Sequence, residues 1–73
     1  MKKTFFTVLG VTEDGNTQSI YTDIASATKA YGDAEIEDLV SIHLLETEEG
    51  KEYGFGSQGE IFGAEVILEI FND

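Results

Sequence analysis

The chain has 73 residues, with 15 Asp and Glu against 4 Lys and no Arg, a formal net charge of −11. That length holds one domain, residues 1–73, which buries only about 60% of its unfolded surface and leaves no room for a separate cofactor or substrate domain. The 41% hydrophobic content, five Phe and three Tyr suit a folded domain, and the absence of cysteine removes disulfides, thiolate nucleophiles and thiolate metal sites together.

Taken in order, Thr4 to Thr12 is rich in β-branched and aromatic residues and runs into the turn cluster Glu13-Asp14-Gly15-Asn16. It predicts a strand and a hairpin, with Asp-Gly supplying the positive φ of the turn and residues 18–21 returning. Residues 23–32 predict a helix capped by Thr22 or Asp23 and ended by a left-handed Gly32, with Ile24, Ala27, Thr28 and Tyr31 on its core face. Residues 39–45 predict a central strand with Val40, Ile42 and Leu44 on one face and His43 on the other, with Ser41 and Leu45. Residues 46–52 form a charged turn with Gly50 at its tip, from which Tyr53-Gly54-Phe55 returns as a second hairpin.

The last segment, residues 60–73, fits two periodicities. Its β-branched and aromatic content favours a strand, on which Phe62, Ala64, Val66, Leu68 and Ile70 make one apolar face. The expected fold is therefore α+β, order ββαβββ, a small antiparallel sheet of four to five strands with one helix packed on one face. Its open face and edge strands would be available to a partner or to a second copy.

Chemistry is sparse. His43 is the one histidine, and Ser41, two strand positions away at about 6.6 Å, is too distant on that spacing for a hydrogen bond. His43 is thus expected at the sheet surface, without a catalytic role. Starting a calcium loop at Asp14 places Ser19 at position 6 and Ala25 at position 12, where Gly and Glu are required. Gly54-Phe-Gly56-Ser-Gln-Gly59 has phosphate-loop spacing without a following helix or an adjacent cation. No catalytic residue, metal site or cofactor is expected.

What remains is the acidic pattern. Asp33, Glu35, Glu37 and Asp38 precede the central strand, and Glu46, Glu48, Glu49 and Glu52 follow it. Alternate strand residues repeat at about 6.6 Å, close to the roughly 7 Å of two phosphate steps, so paired carboxylates can stand in for phosphates. Tyr53, with Tyr31 and Phe55, would add stacking or anchor contacts where exposed. A negative surface repels phosphate backbones and anionic lipid headgroups, and Lys2, Lys3, Lys29 and Lys51 make no basic patch. The partner expected is a basic protein, with no direct nucleic acid and no membrane; solubility alone is the competing explanation of the charge. No apolar run approaches the roughly 20 residues of a membrane span, and no signal-peptide pattern follows Met1-Lys2-Lys3, so a cytoplasmic location is expected.

In its length, lack of cysteine, acidity at residues 33–38 and 46–52 and one-helix α+β layout, the chain resembles the small proteins with which bacteriophages disable host defences, among them anti-CRISPR and DNA-mimic anti-restriction proteins. The resemblance carries no motif. It implies a non-enzymatic inhibitor, acting in the host cytoplasm, that occupies the nucleic-acid-binding surface of a host defence complex; the contact residues expected, Asp33, Glu35, Glu37, Asp38, Glu46, Glu48, Glu49, Glu52 and Tyr53, come from the acidic pattern and its aromatic neighbour and not from the resemblance. A self-associating module forming a homodimer is the alternative, told apart by whether Ile61, Ile67 and Phe71 are covered. An acidic antitoxin against a basic toxin would share the same electrostatics.

Overall fold

The computed structural model describes residues 3–55 and 61–72. Strands β1 (Thr4–Thr12) and β2 (Gly15–Tyr21) form the opening hairpin, with Thr12 paired to Gly15 across a two-residue turn, Glu13 and Asp14. Gly15, at φ +152°, therefore follows the turn instead of lying at its centre, and the return strand begins there, three residues ahead of the expected Gln18. The Thr12 hydroxyl donates to the Gly15 carbonyl at 3.1 Å and closes the turn from within.

Helix α1 (Ile24–Asp33) starts where the Asp23 carboxylate accepts the Ser26 backbone N–H at 2.8 Å. That bond satisfies one of the free donors of the first turn and holds the Asp23 carboxyl below its ordinary value. The helix runs one residue past Gly32 and ends in extended Ala34, so Gly32 does not take the left-handed position expected of it. Of the expected core face, Ala27 is fully buried and Tyr31 half-buried, whereas Ile24 and Thr28 are exposed. Alanine lets the helix axis sit close to the sheet, and a ten-residue helix crossing it leaves its first residue overhanging.

The principal sheet runs β2-β1-β3-β6, with β3 (Ser41–Glu48) central and β6 (Glu65–Phe71) at one edge. Both β2 and β3 are antiparallel to β1 and hence parallel to each other. The connection between them must cross over β1, and α1 supplies that crossing, packing on β1, β2 and β3. A single 3₁₀ turn, Ile36–Asp38, leads from α1 into β3. The architecture is the α+β arrangement expected, one helix on an antiparallel sheet, but the final segment, expected as one strand, is divided into two, Ile61–Phe62 outside the principal sheet and β6 within it.

Residues 53–55 behave differently from the expected hairpin. Strand β4 (Gly54–Phe55) pairs with β5 (Ile61–Phe62) as a separate ribbon, because both edges of β3 are occupied by the longer strands β1 and β6. The Gly54–Gly59 spacing lies largely outside the described residues.

One core layer joins Ile42 and Leu44 to Ala27 beneath the helix; Leu9 and Leu45 fill the opposite face of the sheet, with Thr7, Ser41, His43 and Thr47. Gly10 matters on the helix side, since a Cβ there would meet Leu39 Cδ2 at 3.3 Å and Thr17 Oγ1 at 3.1 Å. Its bare backbone lets Leu39 lie over β1.

The apolar face expected for residues 62–70 is broken. Leu44 pairs with Leu68 and Leu45 with Val66, so Ile67 is an extra residue in a bulge, and side-chain parity switches across it. Leu68 and Ile70 share the face of Leu44 and Ile42, whereas Val66 shares that of Leu45. Among the described residues, no helix is long and apolar enough to cross a membrane.

Candidate functional site

The eight expected carboxylates do not form one surface. Glu46 and Glu48, alternate residues of β3, line a groove with Glu52 and with Glu65 from the start of β6. Glu46 and Glu65 are register partners, two like charges placed opposite each other across the ladder, an arrangement that costs stability. The Lys51 ammonium at this rim lies 3.8 Å from the Glu48 carboxylate with both side chains largely exposed, so the pair offsets little of that charge. Glu49 leaves the strand, and its carboxylate accepts the Lys3 backbone N–H at 3.4 Å.

A second groove lies at the other end of the sheet. Glu37 and Asp38, on the 3₁₀ turn, meet Glu13 and Asp14 from the β1–β2 turn, with Asn72 between the segments. The Asn72 side chain holds this end together, donating to the carbonyls of Ile36 at 3.0 Å and Leu39 at 3.1 Å. Asp33 closes the helix and Glu35 lines a different recess beside Gly10 and Leu39, so the run 33–38 is divided among three places. The strand spacing expected for phosphate mimicry holds for Glu46 and Glu48 alone. From Ser41 to Glu48 the strand covers about 23 Å, and the two acidic grooves lie toward its opposite ends.

Tyr53 is half-buried, and its hydroxyl donates to Gln18 Oε1 on β2. The ring thus lies against the sheet face opposite the helix. Tyr31 is half-buried at the end of α1, where burial and then the nearby charge of Glu69 push its hydroxyl above the ordinary value. The side chain of Phe55 lies outside the described set.

His43 corrects the expectation most sharply. It is fully buried, with Nε2 2.9 Å from Ser41 Oγ, Nδ1 3.1 Å from Glu69 Oε2, and the ring edge-on to Phe71 at 5.5 Å. The Cα rise that argued against the Ser41 contact neglected the reach of an imidazole lying along the strand. Because a carboxylate only accepts, the contact with Glu69 requires a proton on Nδ1, and in that tautomer Nε2 accepts the Ser41 hydroxyl. This order of serine, imidazole and acid matches that of a hydrolytic triad. A nucleophile, however, must be reached by its substrate, and Ser41 is 2% exposed. The contacts satisfy the polar groups of a buried strand and tie β6 to β3.

Three members of the grooves went unrecognised in the sequence: Glu13, Asp14 and Glu65. Only the register that brings Glu65 opposite Glu46, and the 3₁₀ turn that folds back beside the first hairpin, gathers them. Among the described residues, no group of three or more His, Cys, Asp or Glu is close enough to hold a metal ion. No family, no curated protein and no solved structure matches this chain.

Proposed function

We propose that this chain is a non-enzymatic acidic binding protein, an inhibitor of phage type that covers the nucleic-acid-binding surface of a host defence complex with carboxylates in place of phosphates. The observation that carries the reading is the convergence of Glu46, Glu48, Glu52 and Glu65 from three segments into one groove, despite the repulsion between the paired Glu46 and Glu65. Charge meant only to keep a protein soluble is spread apart, because separation lowers its self-repulsion. The second groove, toward the opposite end of a strand about 23 Å long, gives the molecule two negative ends over a length of roughly seven phosphates of one strand. Lys and Arg that hold a nucleic-acid backbone would pair with these ends, with encounter accelerated at low salt.

The test is affinity capture from a bacterial lysate followed by binding kinetics on the recovered target. A nucleic-acid-processing complex should be retained, released by rising salt and displaced by DNA or RNA. The triple change Glu46→Lys, Glu48→Lys and Glu65→Lys should slow its association about tenfold or more. Undiminished association by that variant, or a lysate with no such target, rejects the reading.

A second reading rests on a separate observation: Ile67 is 37% and Phe71 53% exposed on an edge strand, while Ile61 is half-buried. Two of the three residues that discriminate self-association are thus uncovered, and a homodimer joined through β6 is compatible with the acidic grooves.

A further inference from the structure

A small pocket opens on the sheet face opposite the helix and adjoins the first groove, with which it shares Thr47, Glu48 and Lys51. Its lining combines the apolar Phe5, Ile20 and Tyr53 with Thr7, Glu49 and the Glu48–Lys51 pair. Three features set it apart from ordinary surface relief. First, Ile20 is 63% exposed, a large apolar side chain standing uncovered beside two aromatic rings. Second, Tyr53 is fixed by its bond to Gln18, so one wall is held in place before any ligand arrives. Third, Thr7 is 1% exposed, and its hydroxyl is the one buried side-chain polar atom without a hydrogen-bond partner among the described residues. A buried hydroxyl left unpaired is costly, and such orphans call for an explanation.

The volume, about 240 Å³, falls below the roughly 300–1,000 Å³ of pockets for whole small molecules and suits a single side chain. The lining then selects among side chains. Aromatic and aliphatic walls take a long apolar stem or a flat cation, whereas the hydroxyl inside and the carboxylates at the rim both accept hydrogen bonds. Lysine presents its donors at one point. Arginine carries five donors on a planar fork, stacks on aromatic faces and can serve an inner hydroxyl and an outer carboxylate at once.

We propose that this pocket is an anchor site for one arginine side chain of a basic protein partner. The guanidinium would lie between the rings of Phe5 and Tyr53, donating to Glu48 or Glu49 at the rim, and the Thr7 hydroxyl, shielded from solvent in the free protein, would turn toward it to accept a further donor. The proposal rests on the reading of the chain as a binder of basic surfaces, and adds to it a point of specificity. Diffuse carboxylates steer and attract, whereas a desolvated pocket decides which residue docks. Lys51, paired with Glu48 at the rim, must yield that carboxylate or leave Glu49 to take its place.

The pentapeptide Gly-Gly-Arg-Gly-Gly, amidated, provides the probe, titrated into ¹⁵N-labelled protein by NMR, with its lysine and citrulline counterparts and hexalysine as controls. The arginine peptide should shift the amides of Thr7, Ile20 and Tyr53 saturably and bind at least tenfold more tightly than the citrulline peptide, which keeps the shape and loses the charge. Thr7→Val, which removes the hydroxyl at constant shape, should weaken binding several-fold without lowering the melting temperature. Ile20→Ala, at an exposed position, should do the same. Equal binding of arginine and citrulline, unchanged affinity in Thr7→Val, or shifts confined to the acidic grooves would overturn the anchor site. If hexalysine still shifts the groove residues in that last case, the acidic-binding reading stands and only the pocket falls; if neither peptide binds anywhere, both fall.

Discussion

At the scale of single residues, His43 shows how a polar group becomes part of a core. Its two nitrogens are both satisfied, one by Ser41 from its own strand and one by Glu69 from the neighbouring strand. Glu69 is therefore a fastener as well as a charge, and the two roles can be separated by substitution. Glu69→Ala removes the charge and the acceptor, while Glu69→Gln removes the charge and keeps an acceptor oxygen. Thermal denaturation followed by circular dichroism should place the Ala variant about 4–8 °C below the Gln variant, the shift that about 1 kcal/mol produces in a domain of this size. Equal melting temperatures would mean that water replaces the carboxylate at Nδ1 without loss. Sequence spacing put His43 on the correct face with Ser41 and Leu45, but not at the correct depth. Burial there depends on what lies across the sheet, to which periodicity along one strand is blind, and the Ser41 contact depends on side-chain reach beyond Cα spacing.

At the scale of elements, β6 is the strand that least resembles its neighbours. All seven residues are exposed, and Val66, Ile67, Leu68, Ile70 and Phe71 leave a large apolar fraction at a sheet edge. Edge strands with this composition pair with other strands unless charge or a bulge prevents it. Here the bulge at Ile67 and the acidic Glu65 and Glu69 oppose pairing, and the apolar residues favour it. Antiparallel pairing of two copies centred on Leu68 would set Glu69 opposite Ile67 and Glu65 opposite Phe71, which avoids placing any two carboxylates directly across from each other. Analytical ultracentrifugation should then find a dimer whose formation strengthens with salt, as screening lowers the repulsion between copies, and which Ile70→Lys abolishes. Weakening with salt, or dimers undiminished in the Lys variant, would place the contact elsewhere. The strand was legible from its β-branched and aromatic residues. Its single apolar face was not, since one extra residue reverses parity and leaves the composition untouched. The short ribbon β4–β5 was misplaced for a related reason: local signals mark a turn at Gly50, but the choice of pairing partner is a competition among all strands for the edges of β3.

At the scale of the whole molecule, a charge of −11 acts on a body whose extents are 39 × 24 × 17 Å. Many of its carboxylates lie within a few Debye lengths of one another, about 8 Å each at physiological ionic strength. Self-repulsion must work against the folded state, most strongly where Glu46 faces Glu65. Raising sodium chloride from about 10 to 150 mM, the range over which the Debye length falls from roughly 30 to 8 Å, should raise the melting temperature by several degrees, read by calorimetry. In Glu65→Gln the rise should be smaller. A melting temperature indifferent to salt would show that the grooves are already relaxed by their exposure. Acidity was plain from the composition, and two dense runs were visible on either side of β3, but the grooves are properties of the folded chain. The turn at Glu13 and Asp14 joins one and β6 joins the other, whereas Asp33 and Glu35 drop out because the helix and the 3₁₀ turn aim them elsewhere. A last consequence follows from Gly63, whose φ of +79° brings it so close to Glu52 that a Cβ would collide with the Glu52 carbonyl oxygen at 2.5 Å. The backbones of Glu52 and Gly63 are therefore pressed together just before β4 begins and just after β5 ends. Glu52 and Gly63 thus act as two fixed posts where the chain passes between the principal sheet and the β4–β5 ribbon. Any side chain at position 63 must part these two posts, and so shift the ribbon relative to Tyr53.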